Sequence, residues 1–560
     1  MFSRLAIFVQ LAATLGSAVV SSAVLNGTPA GPSVTIDKAT VLGTTNGSVT
    51  SYISIPYAQP PIGDLRLRLP VLLESYNGTI NATQPAAKQC PQLQSAPGAE
   101  LPPEIEEDVL AYSTTILPVV DVPEDEDCLT INVQVPSGTK PGEDKLPVLV
   151  FIFGGGFTVG STAWFPGQDF VQHSVNMNQP VVFVAMNYRL NALGFLGGKE
   201  IKDAGVGNLG LHDQRAALRW VNKYISAFGG DPDKVTIWGP SAGSMSVSFQ
   251  MLTNGGNTEG LFRAGVMHSG SPIPTGDTEL QQSAYDSIVA QVGCANSTDT
   301  LQCLREVPAS ALLAAAGTFP GTSSYIGAAA VKPWNPHADG VFLTDHPQKL
   351  VLSGSVANVP FISGDVLDEG TLFATPSFNI TNDDEFEAFI HDEFFPDVPQ
   401  DELAPLFTLY PNDPAQGSPF GTGDANQLSP QYKRMAAVQG DILFQAPRRF
   451  FIDHVSSNQP VWSFISERGP FQGLGYPHGS EFNGVFFGPG NDLADYIIQF
   501  AATLDPNGGS NRTINWPRYN NNSREVLNVL DGDVPLKIGN DSDRRAQTDK
   551  LAELTFKYPL

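Results

Sequence analysis

Apolar residues gather along this chain in two kinds of run. Short blocks almost free of polar residues recur: PVLVFIF after Leu146, VVFVAMNY from Val181, VTIW from Val235, AGVMH from Ala264, VPFISG from Val359 and VWSFIS from Val461. Their length and their β-branched and aromatic content predict strands buried on both faces. Between them lie longer stretches with apolar positions at helical spacing. His212–Phe228 places Ala216, Leu218, Val221, Tyr224, Ile225 and Phe228 on one face, and SMSVSFQML from Ser244 has the same period. Strands alternating with helices predict an α/β fold with a large, mostly parallel central sheet flanked by helices.

The first 23 residues differ from the rest. One Arg precedes an apolar run that ends in small residues and is marginal for a membrane span, the pattern of a signal peptide, with Ala18 and Ala23 both suited to cleavage. Residues 24–560 are expected to form one catalytic domain, with no integral membrane segment after removal of the leader. Export permits disulfides, and Cys90, Cys128, Cys294 and Cys303 allow two, in three pairings by arithmetic alone. Nine sequons, at Asn26, Asn46, Asn77, Asn81, Asn296, Asn379, Asn511, Asn521 and Asn540, are compatible with a glycosylated secreted product.

Charge narrows the partners. With 57 acidic and 31 basic residues the formal charge is −26, and the acids are dispersed, so nucleic acid and anionic membranes are repelled. None of the cysteines has metal-ligand spacing to a second cysteine or a histidine. The expectation is therefore chemistry by side chains alone, without cofactor or metal.

The sharpest chemical signal is Gly239-Pro240-Ser241-Ala242-Gly243, set between a predicted strand and a predicted helix. Small residues around Ser241 allow an abrupt turn that lifts its hydroxyl above the sheet, with a helix N-terminus facing developing negative charge. The glycine run after PVLVFIF offers backbone N–H groups with no side chains in the way. Gly155, Gly156 and Ala242 are the candidate oxyanion donors. A serine hydroxyl also needs a base. Of eight histidines, His268 follows Ser241 too closely to leave room for an intervening acid on another strand. His478, in a glycine-rich loop after the Val461 strand, is preferred. The orienting acid is expected after VPFISG, where Asp365, Asp368 and Glu369 are tied.

These motifs, with IPYAQPPIGDLRL, EDCLTINV, NYRL, NLGLHDQRAALRWV, LFRAGVMHSG, GDVLDEGTLFA and HGSEFNGVFF, resemble the type-B carboxylesterase/lipase family over nearly all of the mature chain. Within that family GPSAGSMSV and LFRAGVMHSG look most like fungal extracellular lipases and sterol esterases. The resemblance implies an α/β-hydrolase fold and a serine carboxylic-ester hydrolase acting on apolar acyl esters through an acyl-enzyme. A carboxylesterase restricted to small soluble esters, including aromatic ones, is the alternative. It places the triad on Ser241, Glu369 and His478, with the carboxylate ionised throughout, and the disulfides on Cys90 with Cys128 and Cys294 with Cys303. Pro240 departs from relatives that carry Glu there, without touching an assigned donor. The loop 90–128 corresponds to an amphipathic lid, with Val109, Leu110, Tyr112, Ile116 and Leu117 as its apolar residues. Partners implied are a small-molecule or lipid ester and a transient lipid interface, the protein being a secreted monomer or weak homo-oligomer.

Overall fold

The computed structural model describes residues 31–93, 109, 111–112, 120–319, 333–486, 492–508 and 514–560. The expected leader, Asn26, Asn511, Leu110, Ile116 and Leu117 lie outside them.

Fourteen strands occur among the described residues. Three form a small sheet near the start of the chain: β1 (Ser33–Ile36), β2 (Lys38–Leu42) and β5 (Asn77–Asn81). The other eleven form one sheet. They are β3 (Thr44–Asn46), β4 (Val49–Pro56), β6 (Thr130–Pro136), β7 (Leu146–Phe151) and β8 (Val182–Met186). Next come β9 (Gly230–Pro240), β10 (Ala264–His268), β11 (Phe361–Val366), β12 (Val461–Glu467), β13 (Glu525–Leu530) and β14 (Leu536–Asn540).

Their order across the sheet is β14-β13-β12-β11-β10-β9-β7-β8-β6-β4-β3. Pairing is parallel from β8 through β13 and antiparallel at both margins. Every residue of β8, β10 and β11 is buried, which is why those segments read as unbroken apolar runs. The mostly parallel sheet is the one that the alternation of strands and helices predicts, and the architecture is of the α/β-hydrolase type that the resemblance implies.

One helix starts directly after Ser241 and a second packs against it. Helix α1 (Leu209–Tyr224) is followed by a single tight turn to Phe228, and α2 (Ala242–Leu252) springs directly from the end of β9. The face predicted for α1 is buried, but so are Asp213, Gln214 and Arg215. Burial of Asp213 is offset by a forked ion pair with Arg189, 2.7 Å from Nη2 and 2.8 Å from Nε. Both expected disulfides are formed, Cys90–Cys128 and Cys294–Cys303. All seven described sequon asparagines are exposed.

Candidate active site

Parallel strands deliver their C-terminal ends to one edge of a sheet, where ligand sites of α/β folds gather. Ser241 follows β9, His268 ends β10, Glu369 lies three residues beyond β11, and His478 lies in the loop after β12. The Ser241 N–H donates to the carbonyl of His268 at 2.8 Å, and the Ser269 N–H to that of Gly364 at 2.7 Å.

Ser241 occupies a backbone region that side chains avoid, φ 52° and ψ −127°, and is half-buried. Such strain persists only where the surroundings impose it. Here they do: a Cβ on Gly243 would stand 2.0 Å from the Ile152 carbonyl oxygen, and one on Gly154 would stand 3.0 Å from Ser241 Cβ. The glycine turn after β7 is thus packed directly on the Ser241 turn. Gly155 and Gly156 have φ of 115° and 59°, and the Gly155 carbonyl is taken up by the N–H groups of Thr158 and Val159. Ala242 is the first residue of α2, so its N–H has no partner within the helix. The three expected oxyanion donors therefore belong to two backbone turns in contact.

Glu369 and His478 are in direct contact, Oε2 to Nδ1 at 2.5 Å, and both are buried. Glu369 Oε1 accepts the Val366 N–H at 2.9 Å. The imidazole is flanked by Phe444 at 4.5 Å and Phe373 at 5.2 Å between centroids. Phe444 comes from a π-helical turn, Asp441–Gln445, of the kind that often re-aims a side chain at a site. Burial pulls His478 down to about 4, which keeps the ring neutral and able to accept a proton. Its bonded partner in this arrangement is Glu369 rather than Ser241. Serine–histidine contacts commonly tighten only with substrate in place.

The three tied acids separate by their partners. Asp365 is clamped by Arg448 at 2.7 Å, both side chains fully buried. Asp368 fastens loops, accepting the Ser418 hydroxyl at 2.7 Å and the N–H groups of Phe420 and Tyr476 at 2.9 and 3.0 Å. Of the three, only Glu369 is hydrogen-bonded to His478. His268 is wholly buried and held down to about 3, with neither ring nitrogen hydrogen-bonded among the described residues, and it serves the Ser241 turn through its carbonyl.

Sequence reasoning passed over a second carboxyl. Glu481, three residues after His478, is buried and accepts the Ser269 hydroxyl at 2.8 Å, while its other oxygen has no partner among the described residues. Burial pushes Glu369 up to about 8 and Glu481 up to about 7, with repulsion from Asp368 adding to the first and from Glu369 to the second. A carboxylate ionised throughout is therefore not what burial alone favours for Glu369. Repulsion of Glu481 by Glu369 favours keeping a proton on one of the two. The unpartnered oxygen of Glu481 is the better place for it, since Glu369 keeps both the Val366 N–H and the imidazole. Ser269 and Glu481 both stand inside quoted motifs, MHSG and HGSEF, but nothing local in either marks a buried pair. Among the described residues no group of three His, Cys, Asp or Glu could hold a metal ion.

The sequence matches the carboxylesterase family over residues 30–546. The chain belongs to the carboxylesterase family. Among its carboxylesterase relatives, secreted lipase 1 of Botryotinia fuckeliana is 42% identical over 521 residues, covering 89% of each chain. Lipase 4 of Diutina rugosa is 40% identical over 543 residues, covering 93% of this chain and 96% of that one. The crystal structure of Aspergillus niger EstA superimposes with a TM-score of 0.77 at 27% identity, over 94% of this chain and 99% of its own. As a member of the family the protein is a serine-type carboxylic ester hydrolase.

Proposed function

We propose that Ser241, His478 and Glu369 are the nucleophile, general base and orienting acid of a secreted lipase-like enzyme acting on apolar acyl esters. The observation that carries this is the buried Glu369–His478 pair at the sheet edge that also bears the strained Ser241 turn.

His478 Nε2 accepts the Ser241 proton as Oγ bonds to the ester carbonyl carbon, and the carbonyl π electrons move to oxygen. That oxyanion is held by the N–H groups of Gly155, Gly156 and Ala242. Collapse breaks the bond to the alcohol oxygen, which takes the proton from His478. Water then repeats the cycle on the acyl-enzyme and releases the acid. Glu369 keeps Nδ1 protonated and Nε2 free to accept, and stabilises the imidazolium that forms.

The lipases among the relatives and the apolar packing of the described part of the loop 90–128 support the substrate class. Its described residues Val109 and Tyr112 are buried against Leu474 in the loop that carries His478. No helix among the described residues is long and apolar enough to cross a membrane. A hydrolysis panel from acetate to oleate esters, plus a sterol ester, with and without an oil–water interface, tests this reading. Each well-buried CH₂ contributes about 0.8 kcal/mol, so kcat/KM is expected to climb several-fold per added methylene before levelling. Best turnover on acetate, with no rise at an interface, would instead assign an esterase of small soluble substrates.

A further inference from the structure

Among the described residues of the loop closed by Cys90 and Cys128, Tyr112 reaches the machinery described above with its hydroxyl. Tyr112 is fully buried, and its hydroxyl donates to the backbone carbonyl of His478 itself at 2.5 Å, with the Pro477 carbonyl at 3.2 Å. Its ring packs on Phe471 with centroids 4.4 Å apart. Burial pushes the phenol well above its ordinary value, so it remains a donor at every working pH.

The opposite side of the same backbone is held by the acid loop. The Asp368 carboxylate takes the Tyr476 N–H, and the Asp368 N–H donates to the Tyr476 carbonyl at 3.1 Å. The imidazole is fixed at Nδ1 by Glu369 and across its faces by Phe373 and Phe444. What remains free is a shift of the whole His478 backbone, and the Tyr112 hydroxyl bears on that freedom directly. A base that must meet Ser241 within hydrogen-bond reach loses rate steeply with small misplacement.

We propose that Tyr112 is a positioning residue for His478, its phenol gripping the backbone carbonyl of the base so that the imidazole keeps its line between Glu369 and Ser241. The inference rests on the reading of His478 as base. Removing the hydroxyl leaves a carbonyl short of its donor in a dry site, where water enters to replace it. The titratable groups facing the imidazole are Glu369 after β11, Asp365 on β11 with its Arg448, and Glu481 on the helix after His478. None of them is altered by the change at Tyr112.

The test is Tyr112→Phe, with rates on a soluble ester normalised to active sites titrated by a fluorophosphonate. Expected are a fall in kcat of about tenfold with KM within about twofold, and an acidic limb of kcat/KM displaced upward as water reaches the imidazole. Phe471→Leu, which loosens the ring but leaves the hydroxyl, should lower the melting temperature while keeping the acidic limb in place. Adding Tyr112→Phe to His478→Ala should cost nothing further. A lowered melting temperature with wild-type kcat and an unmoved limb would make Tyr112 a packing residue and overturn the proposal. Substantial activity in His478→Ala would overturn the underlying assignment of the base instead, so the two failures are distinguishable. Should Tyr112→Phe fold poorly, an acidic limb displaced in Phe471→Leu would overturn the proposal by the same measure.

Discussion

Gly243→Ala adds one methyl group where the Ser241 turn meets the glycine turn after β7. The new Cβ would lie 2.0 Å from the Ile152 carbonyl oxygen, 2.8 Å from its carbon and 2.9 Å from the Phe153 carbonyl oxygen. All three are backbone atoms of the strand end, so no side-chain rotation relieves them. Reaching ordinary contact requires about 1.4 Å of separation between α2 and the segment after β7. Ala242 rides on one side of that gap and Gly155 and Gly156 on the other, so the displacement opens the oxyanion pocket. Losing one such donor costs about 10²–10³-fold in kcat, and a 1 Å misplacement about 10²-fold. The expected result is a kcat reduced about 100-fold with Ser241 and His478 both present, and a stability loss of about 1–3 kcal/mol. Gly265→Ala is the control. Its Cβ would meet Val247 Cγ1 at 3.2 Å and Met251 Sδ at 3.4 Å, side-chain rather than backbone atoms and remote from the donor turns, so kcat should stay within about twofold. Steady-state kinetics on a soluble chromogenic ester, beside thermal unfolding, reads both. Wild-type kcat in folded Gly243→Ala would refute the close packing of the two turns as the source of the donor geometry.

Two further outcomes follow from the same structure. Cys90 and Cys128 are 38 residues apart and Cys294 and Cys303 only 9, so loop-closure entropy assigns about 4 and about 2.6 kcal/mol to the two bridges; urea unfolding of Cys90→Ala/Cys128→Ala should show the larger loss, and equal losses would count against the entropic account. Stability should also fall as pH rises from 6.5 to 8. Asp365 is pushed up to about 7 by burial, and Glu369 and Glu481 are raised likewise, so the folded state holds protons the unfolded chain has released, and that stabilisation is lost through this window. His212, His268 and His478, lowered to about 4, 3 and 4, act in the opposite sense mainly below about 6.5, and their remaining effect, which fades by about pH 7.5, is smaller than that of the three raised carboxyls. A melting temperature higher at pH 8 than at 6.5 would contradict this balance.

The strands and the serine turn were legible because their signals are local. An unbroken apolar run can be buried on both faces, and β8, β10 and β11 are throughout; a serine among glycines between strand and helix needs only its neighbours to be recognised. The choice among Asp365, Asp368 and Glu369 was not legible from local physics, since all three follow one strand. What separates them arrives from elsewhere: Arg448, 83 residues beyond Asp365, and Ser418, 50 residues beyond Asp368. The same holds for Ser269 with Glu481, 212 residues apart, and for Tyr112 with His478, 366 apart. Helix α1 shows the complementary difficulty. Its Asp213, Gln214 and Arg215 have the composition of a solvated face, yet partners such as Arg189 and Glu259 carry them into the interior. Buried polar residues look like surface until their partners are known.

Covalent capture tests the central claim most directly. The enzyme, treated with a fluorophosphonate at neutral pH, digested and mapped by mass spectrometry, should carry one adduct, on the peptide containing Ser241. Ester turnover should fall in step with labelling, and Ser241→Ala should neither label nor turn over ester while melting near the wild-type temperature. Ester hydrolysis that persists in Ser241→Ala, or an adduct on any other residue that accounts for the lost activity, would contradict the account.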